Sequence, residues 1–183
     1  MDRRVVRLSD RAPTIYAALS DLADSVYRVT DSATLPGRVS LDLDADTWVE
    51  LDARQAGYLH VFARKPERPQ PGFGTNIVVV CTRVILDAEL GAVLDHAFTE
   101  SRRLPTWREE RATRMPAANR HSGWTFQSGT YSDNARTLYT ATRYAVYQRG
   151  NVGYLLQVTG TAADAPRYGT LLDRVVYHAT LED

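Results

Sequence analysis

The stretch NIVVVCTRVILDAELGAVLDHAFTESRRLPTW, Asn76 to Trp107, decides the fold class. Ile77 to Cys81 are apolar, and Val84, Ile85 and Leu86 continue the run. Leu90, Val93, Leu94, Ala97 and Phe98 then recur at helical spacing, with Asp87, Asp95 and Glu100 between them. A continuous apolar run predicts a strand buried on both faces, and the change of period predicts an amphipathic helix capped by Asp87. The segment carries no chemistry.

Outward from it, the chain reads as one domain of 183 residues, long enough to bury a core. Ile15, Leu19, Leu22 and Val26 share one face of a helix predicted over residues 10–26, with Ser9 or Asp10 as cap and Pro13 in its first turn. Arg38 to Asp44 alternates, with Val39, Leu41 and Leu43 inward. Trp48–Leu51 and Tyr58–Arg64 read as further strands, and Lys65 to Gly74 as the longest loop. After Leu104-Pro105 comes a charged edge strand, Trp107–Arg114. Ser122–Tyr131, Thr137–Arg149 and Val152–Gly160 form a meander turning at Asp133-Asn134 and Gly150-Asn151. A closing helix, Ala165–Ala179, has Asp164 as cap and Pro166 in its first turn. Helices at both ends and in the middle, around six to eight largely antiparallel strands, define an α+β sandwich.

Hydrophobic residues make up 44% and charged residues 24%, ordinary for a globular protein. A formal net charge of zero argues against general affinity for nucleic acid. All basic residues but Lys65 are arginine, a skew that suggests a GC-rich genome and carries no function. No apolar run is long enough for a transmembrane helix. The charged start, MDRRVVRLSDRAP, lacks an apolar leader and a lipid-attachment cysteine, so the chain as written reads as cytoplasmic. Removal of a leader would give the same sequence and place the protein in the cell envelope or outside the cell.

The search for chemistry is mostly negative. His60, His96, His121 and His178 are scattered, HExxH is absent, and no metal or cofactor is expected. Cys81 lies inside the apolar strand, where a thiol is inert. Neither GxSxG nor GxxxxGK[ST] occurs. Asp42, Asp44 and Asp46 lack the glycine and glutamate of a calcium loop and line a solvent face. Adjacent Glu109 and Glu110 make a poor carboxylate pair. The remaining signal is aromatic: ten tyrosines and three tryptophans, concentrated in the second half. Tyr139, Arg143 and Tyr147 share one face of their strand, and Leu138, Tyr144 and Val146 share the other. The first set lines a groove for a sugar, a lipid headgroup or a protein unless helices cover both faces. Trp48, after a turn, is expected at the surface and joins the candidate binding residues Trp48, Tyr139, Arg143 and Tyr147.

The order of motifs resembles a known family. LPGRVSLDL (Leu35 to Leu43) is followed by Trp48 and by YLHVFAR. A Gly/Pro loop ends at Asn76 before the valines, a helix ends in LPTW (Leu104 to Trp107), and SGWTFQSGTY (Ser122 to Tyr131) and YLLQVTGTAAD (Tyr154 to Asp164) follow. This set, from about Leu35 to the C-terminus, is similar to the LpqN family of actinobacterial proteins, of the Mog1/PsbP-like fold. The resemblance implies a three-layer α-β-α sandwich without catalytic residues. It also implies a role in cell-envelope lipid transport through contacts with proteins, the most favoured partners, or with lipids or glycolipids. The chain departs from the lipoprotein pattern in lacking the lipidated cysteine. The expected function is a non-enzymatic binding or adaptor protein, monomeric or dimeric. The alternatives are a secretion chaperone of the same fold, or an enzyme whose site assembles only in three dimensions around His60 or His121 beside a carboxylate.

Overall fold

A computed structural model describes residues 12–66, 73–115, 122–133 and 136–182. Its core is an eight-stranded sheet built around β5 (Asn76–Ile85), with β1 (Ser25–Val29), β3 (Trp48–Leu51), β4 (His60–Arg64), β6 (Arg108–Met115), β7 (Ser122–Asp133), β8 (Arg136–Arg149) and β9 (Val152–Ala162). The order is β3-β4-β5-β9-β8-β7-β6, and every pairing is antiparallel. β1 joins the edge of β5 that also holds β4, pairing with Cys81–Ile85 where β4 pairs with Asn76–Val79. Two short strands, β2 (Arg38–Ser40) and β10 (Thr180–Glu182), pair apart from this sheet.

β5 is a central strand, as its apolar run predicts, and Ile77, Val79, Cys81 and Val84 are fully buried. β8, with alternating faces, reaches both halves of the core. On one face α2 (Ala165–Tyr177) lays Leu172, Val175 and Val176 on Phe126, Tyr139, Ala141 and Val158. Burying each such aliphatic side chain contributes about 2 kcal/mol. Asp164 caps α2 by accepting from the Arg167 amide at 3.2 Å, with Pro166 in the first turn. The opposite face meets α1 (Ile15–Leu22) and a 3-10 segment, Leu90–His96; Ile15, Leu19, Leu90, Val93 and Leu94 cover Val84, Tyr144, Val146 and Leu155.

Three elements differ from the sequence reading. The first helix covers only Ile15–Leu22 of the expected 10–26, and its cap is Thr14, whose hydroxyl accepts from the Ala17 amide. Ser9 and Asp10 lie outside the described residues. Val26 belongs instead to β1, where Ser-Val-Tyr-Arg-Val finds an open edge of β5. Residues 90–96 are buried as expected but wind as 3-10, bonding Ala92 to Glu89 and Ala97 to Leu94. Neither Asp87 nor Glu89 caps the segment, and Gly91 weakens α-helix within it. β2 stops at Ser40, although Leu41 and Leu43 still pack on the core. The turn residue Asn134 lies outside the described residues.

Candidate functional site

Tyr139, Arg143 and Tyr147 do share a face, but α2 and β10 close over it. Tyr139 is 3% exposed and donates to Asp173 Oδ1 of α2. Arg143 is 6% exposed; its Nη1 donates to the Tyr177 carbonyl at 2.6 Å, and its guanidinium lies 4.1 Å from the Trp124 ring centroid. A cation here complements the C-terminal end of α2. The Tyr147 hydroxyl accepts from the Leu181 amide at 2.9 Å, tying β10 down. Burial pushes the Tyr139 and Tyr147 phenols above the ordinary tyrosine range, and the Asp173 carboxylate adds to the effect at Tyr139. Trp48 is buried as well, at 5% exposure, because its register with Arg64 turns the indole inward. The expected open groove on this face is therefore absent among the described residues. Its side chains are spent on helix capping and packing.

The opposite face carries a feature that single strands do not reveal. Register aligns Val78, Thr159, Thr142 and Gln127 in one row across β5, β9, β8 and β7. Asn76, Thr161, Thr140 and Gly129 form the next row. The apolar cluster of α1 and the 3-10 segment centres on Val84, Tyr144, Val146 and Leu155; in the two rows Gln127, Thr140 and Thr142 are buried, at 3%, 6% and 7% exposure, and Thr159 and Thr161 are half-buried. The result is a hydroxyl and amide floor at the centre of the sheet. Thr142 and Thr159 hydroxyls meet at 3.2 Å, and Gln157 Nε2 donates to Thr159 at 3.2 Å. The Tyr16 hydroxyl donates to Gln157 Oε1 at 2.6 Å. Gln127 Nε2 donates to Glu109 at 2.6 Å, and Arg102 grips the same carboxylate through two nitrogens at 2.9 Å. Hydrogen bonding by Arg102 holds the Glu109 carboxyl below its usual range. The Trp107 ring lies beside Gly129 as a wall, where a Cβ would come within 2.8 Å of it. Gln127 Oε1 and Thr125 Oγ1 are buried on this face and have no hydrogen-bond partner among the described residues. Buried polar atoms without a partner are costly, so these two stand out in the floor.

A concavity of about 380 Å³ lies elsewhere, lined by Thr30, Asp31, Ser32, Glu50–Arg54, Leu59 and His60. Here His60 Nδ1 lies 2.6 Å from Glu50 Oε1. Asp52 is held by Arg54 at 2.9 Å, which lowers its carboxyl to about 2. No group of three potential metal ligands gathers among the described residues. His121, the other histidine considered, lies outside them. Cys81 is buried, and desolvation pushes its thiol up to about 12.

The two faces define a class first: an α+β protein with a mostly antiparallel sheet, one face closed by a C-terminal helix and the other part-covered, with a polar floor. The profile of the family described as probable lipoprotein LpqN matches residues 25–176, and the chain belongs to that family. The crystal structure of LpqN of Mycobacterium tuberculosis, a protein involved in cell envelope biogenesis, is similar to 93% of this chain and 98% of its own length, with TM-score 0.73 and 19% identity. A Pseudomonas aeruginosa protein of unknown function, PA94, a putative regulator, aligns over 87% of this chain and 97% of its own at TM-score 0.39 and 11% identity. No curated protein matches the chain in sequence. No helix among the described residues is long and apolar enough to cross a membrane.

Proposed function

We propose that this chain is a non-enzymatic binding protein of cell envelope biogenesis, an adaptor that holds a polyhydroxylated headgroup of a glycolipid or glycan on its polar sheet floor. The observation that carries the reading is the Thr142, Thr159, Gln157 and Gln127 lattice, in which Gln127 Oε1 and Thr125 Oγ1 find no partner among the described residues. Sugar hydroxyls both donate and accept, and the Trp107 wall offers a ring for stacking. Membership of the LpqN family and the role of the M. tuberculosis protein support the envelope as its place of action. α2 on one face and α1 with the 3-10 segment on the other support a three-layer α-β-α sandwich of Mog1/PsbP-like type. Calorimetric titration with dodecyl maltoside and with maltose tests the site. The wild type binds the alkyl glycoside, and Thr142→Val with Thr159→Val weakens it about tenfold by stranding the sugar hydroxyls. Absence of binding to both compounds, or an unchanged double variant, overturns the assignment.

The His60–Glu50 pair favours one other reading, a hydrolase using His60 as general base oriented by Glu50. On the binding reading, wild type and His60→Ala release nitrophenol from p-nitrophenyl acetate at equal rates. A wild-type rate about 100-fold higher would assign the chain to the hydrolases instead.

A further inference from the structure

The strand order ends on β3 at one side and on β6 at the other, and the two edges differ in character. β6 carries Arg108, Glu109, Glu110, Arg111 and Arg114, charges that discourage a further strand. β3 instead carries Val49 and Leu51, 42% and 47% exposed, with exposed Glu50 between them. The Lys65 amide donates to the Thr47 carbonyl at 2.8 Å, one step beyond the Trp48–Arg64 pair of β3 and β4. Alternation from that bond turns the backbone of Val49 and Leu51 toward β4, and the amide and carbonyl of Glu50 outward. The Glu50 side chain lies on the face opposite the two apolar residues, at the concavity that also holds Asp31 and Asp52. Three carboxylates and one guanidinium, that of Arg54, line this concavity, so its field favours a cation.

We propose that the open edge of β3 takes an added strand from a partner protein, an extended segment in which a lysine or arginine stands between two apolar residues. The basic residue exchanges two backbone hydrogen bonds with Glu50, and its side chain falls beside the Glu50 carboxylate, about 5 Å away between Cβ atoms. Its two neighbours pair with Val49 and Leu51 on the other face. Charge decides against a second copy of this chain as the occupant. Antiparallel pairing of β3 with itself so that Val49 meets Leu51 sets Glu50 directly against Glu50, and like charges there are destabilising. The register centred on Val49 keeps one apolar pair and sets Trp48 against Glu50. β4 separates β3 from the polar floor, so the docking edge stands or falls separately from the headgroup reading.

Titration of the 15N-labelled full chain by NMR tests the proposal, with the end-blocked peptide serine-threonine-valine-lysine-valine-threonine-serine as probe. The expected result is a set of shifts over Trp48–Leu51 and His60–Arg64. N-methylation of the lysine amide, which faces Glu50, weakens binding by about tenfold or more, whereas N-methylation of a flanking valine, whose amide faces away, is tolerated. Glu50→Lys, an exposed change, weakens the lysine peptide by about tenfold and strengthens its glutamate counterpart. Thr142→Val with Thr159→Val leaves the peptide affinity unchanged. No shifts at millimolar peptide, shifts away from β3, equal binding of the lysine and glutamate peptides, or equal loss from the two N-methyl positions each overturn it. Shifts of β3 that grow with protein concentration in the absence of peptide overturn it in favour of a second copy.

Discussion

Phe126→Ala lowers stability by about 4 kcal/mol and the melting temperature by roughly 10 °C. Phe126 is fully buried, with its ring edge-on to Tyr177 at 5.2 Å between centroids and under the Arg111 guanidinium at 5.0 Å. It sits where β7 meets the last turn of α2, directly opposite Arg143 in the β7–β8 register. Truncation leaves a cavity that cannot collapse, because β7 is held between β6 and β8 and α2 is fixed above by Leu172, Val175 and Val176 on the sheet. Circular dichroism melts with α2-specific hydrogen exchange check the result. A loss below about 1 kcal/mol would mean that α2 does not depend on this contact.

Gly129→Ala is the second large effect, about 2–3 kcal/mol from a single added methyl. A Cβ at residue 129 would stand 2.3 Å from the Arg108 carbonyl oxygen and 2.8 Å from the Trp107 ring. The first neighbour is backbone and belongs to the very ladder that pairs β6 with β7. Relief therefore requires β6 to move away and Trp107 to leave the floor of the polar face. Amide exchange in Arg108–Met115 speeds up, and Trp107 fluorescence shifts to the red. Gly74→Ala, where an added methyl meets nothing within 4 Å, is the matched control and leaves both unchanged. Similar stability for the two variants would contradict the close approach of Trp107.

How far the sequence carries depends on which pattern a residue obeys. β5 is legible because only a central strand buries apolar residues on both of its faces, as it does Ile77, Val79, Val80, Cys81 and Val84. α2 is legible because Asp164, Pro166 and the Leu172–Val176 stripe agree. The 3-10 segment is half legible: spacings of three and four mark the buried side chains but serve 3-10 and α geometry alike, so only the hydrogen bonds separate them. β1 is hidden because Val26 continues the helical spacing of Ile15, Leu19 and Leu22 by coincidence.

The site was harder to read than the fold. The faces of β8 follow from alternation alone, but which face is open depends on where α2 lands. Arg143, which looks like a ligand-binding cation in sequence, satisfies the carbonyl end of that helix. The threonines of β8 and β9 look like ordinary strand-formers with a polar side toward water. Only the register shows that Thr140, Thr142, Thr159 and Thr161 adjoin at the middle of an eight-stranded sheet. The signal available in sequence was that two of the longest strands carry polar residues on the same alternate positions.

The shared edge of β5 has a further consequence for how the molecule comes apart. β4 and β1 meet β5 end to end, leaving a seam opposite Val80 where neither pairs with it. These two ladders are short, whereas β9 holds the other edge from Asn76 to Ile85 without a break. Opening fluctuations therefore begin at the seam and spread outward along two flaps, one carrying β3 with β4 and the other β1, while α1 stays fastened by Ile15 and Leu19. The concavity of His60 and Glu50 opens beside that seam, so an occupant there acts as a stitch: it slows the exit of both flaps at once while the β7–β8–β9 block stays shut.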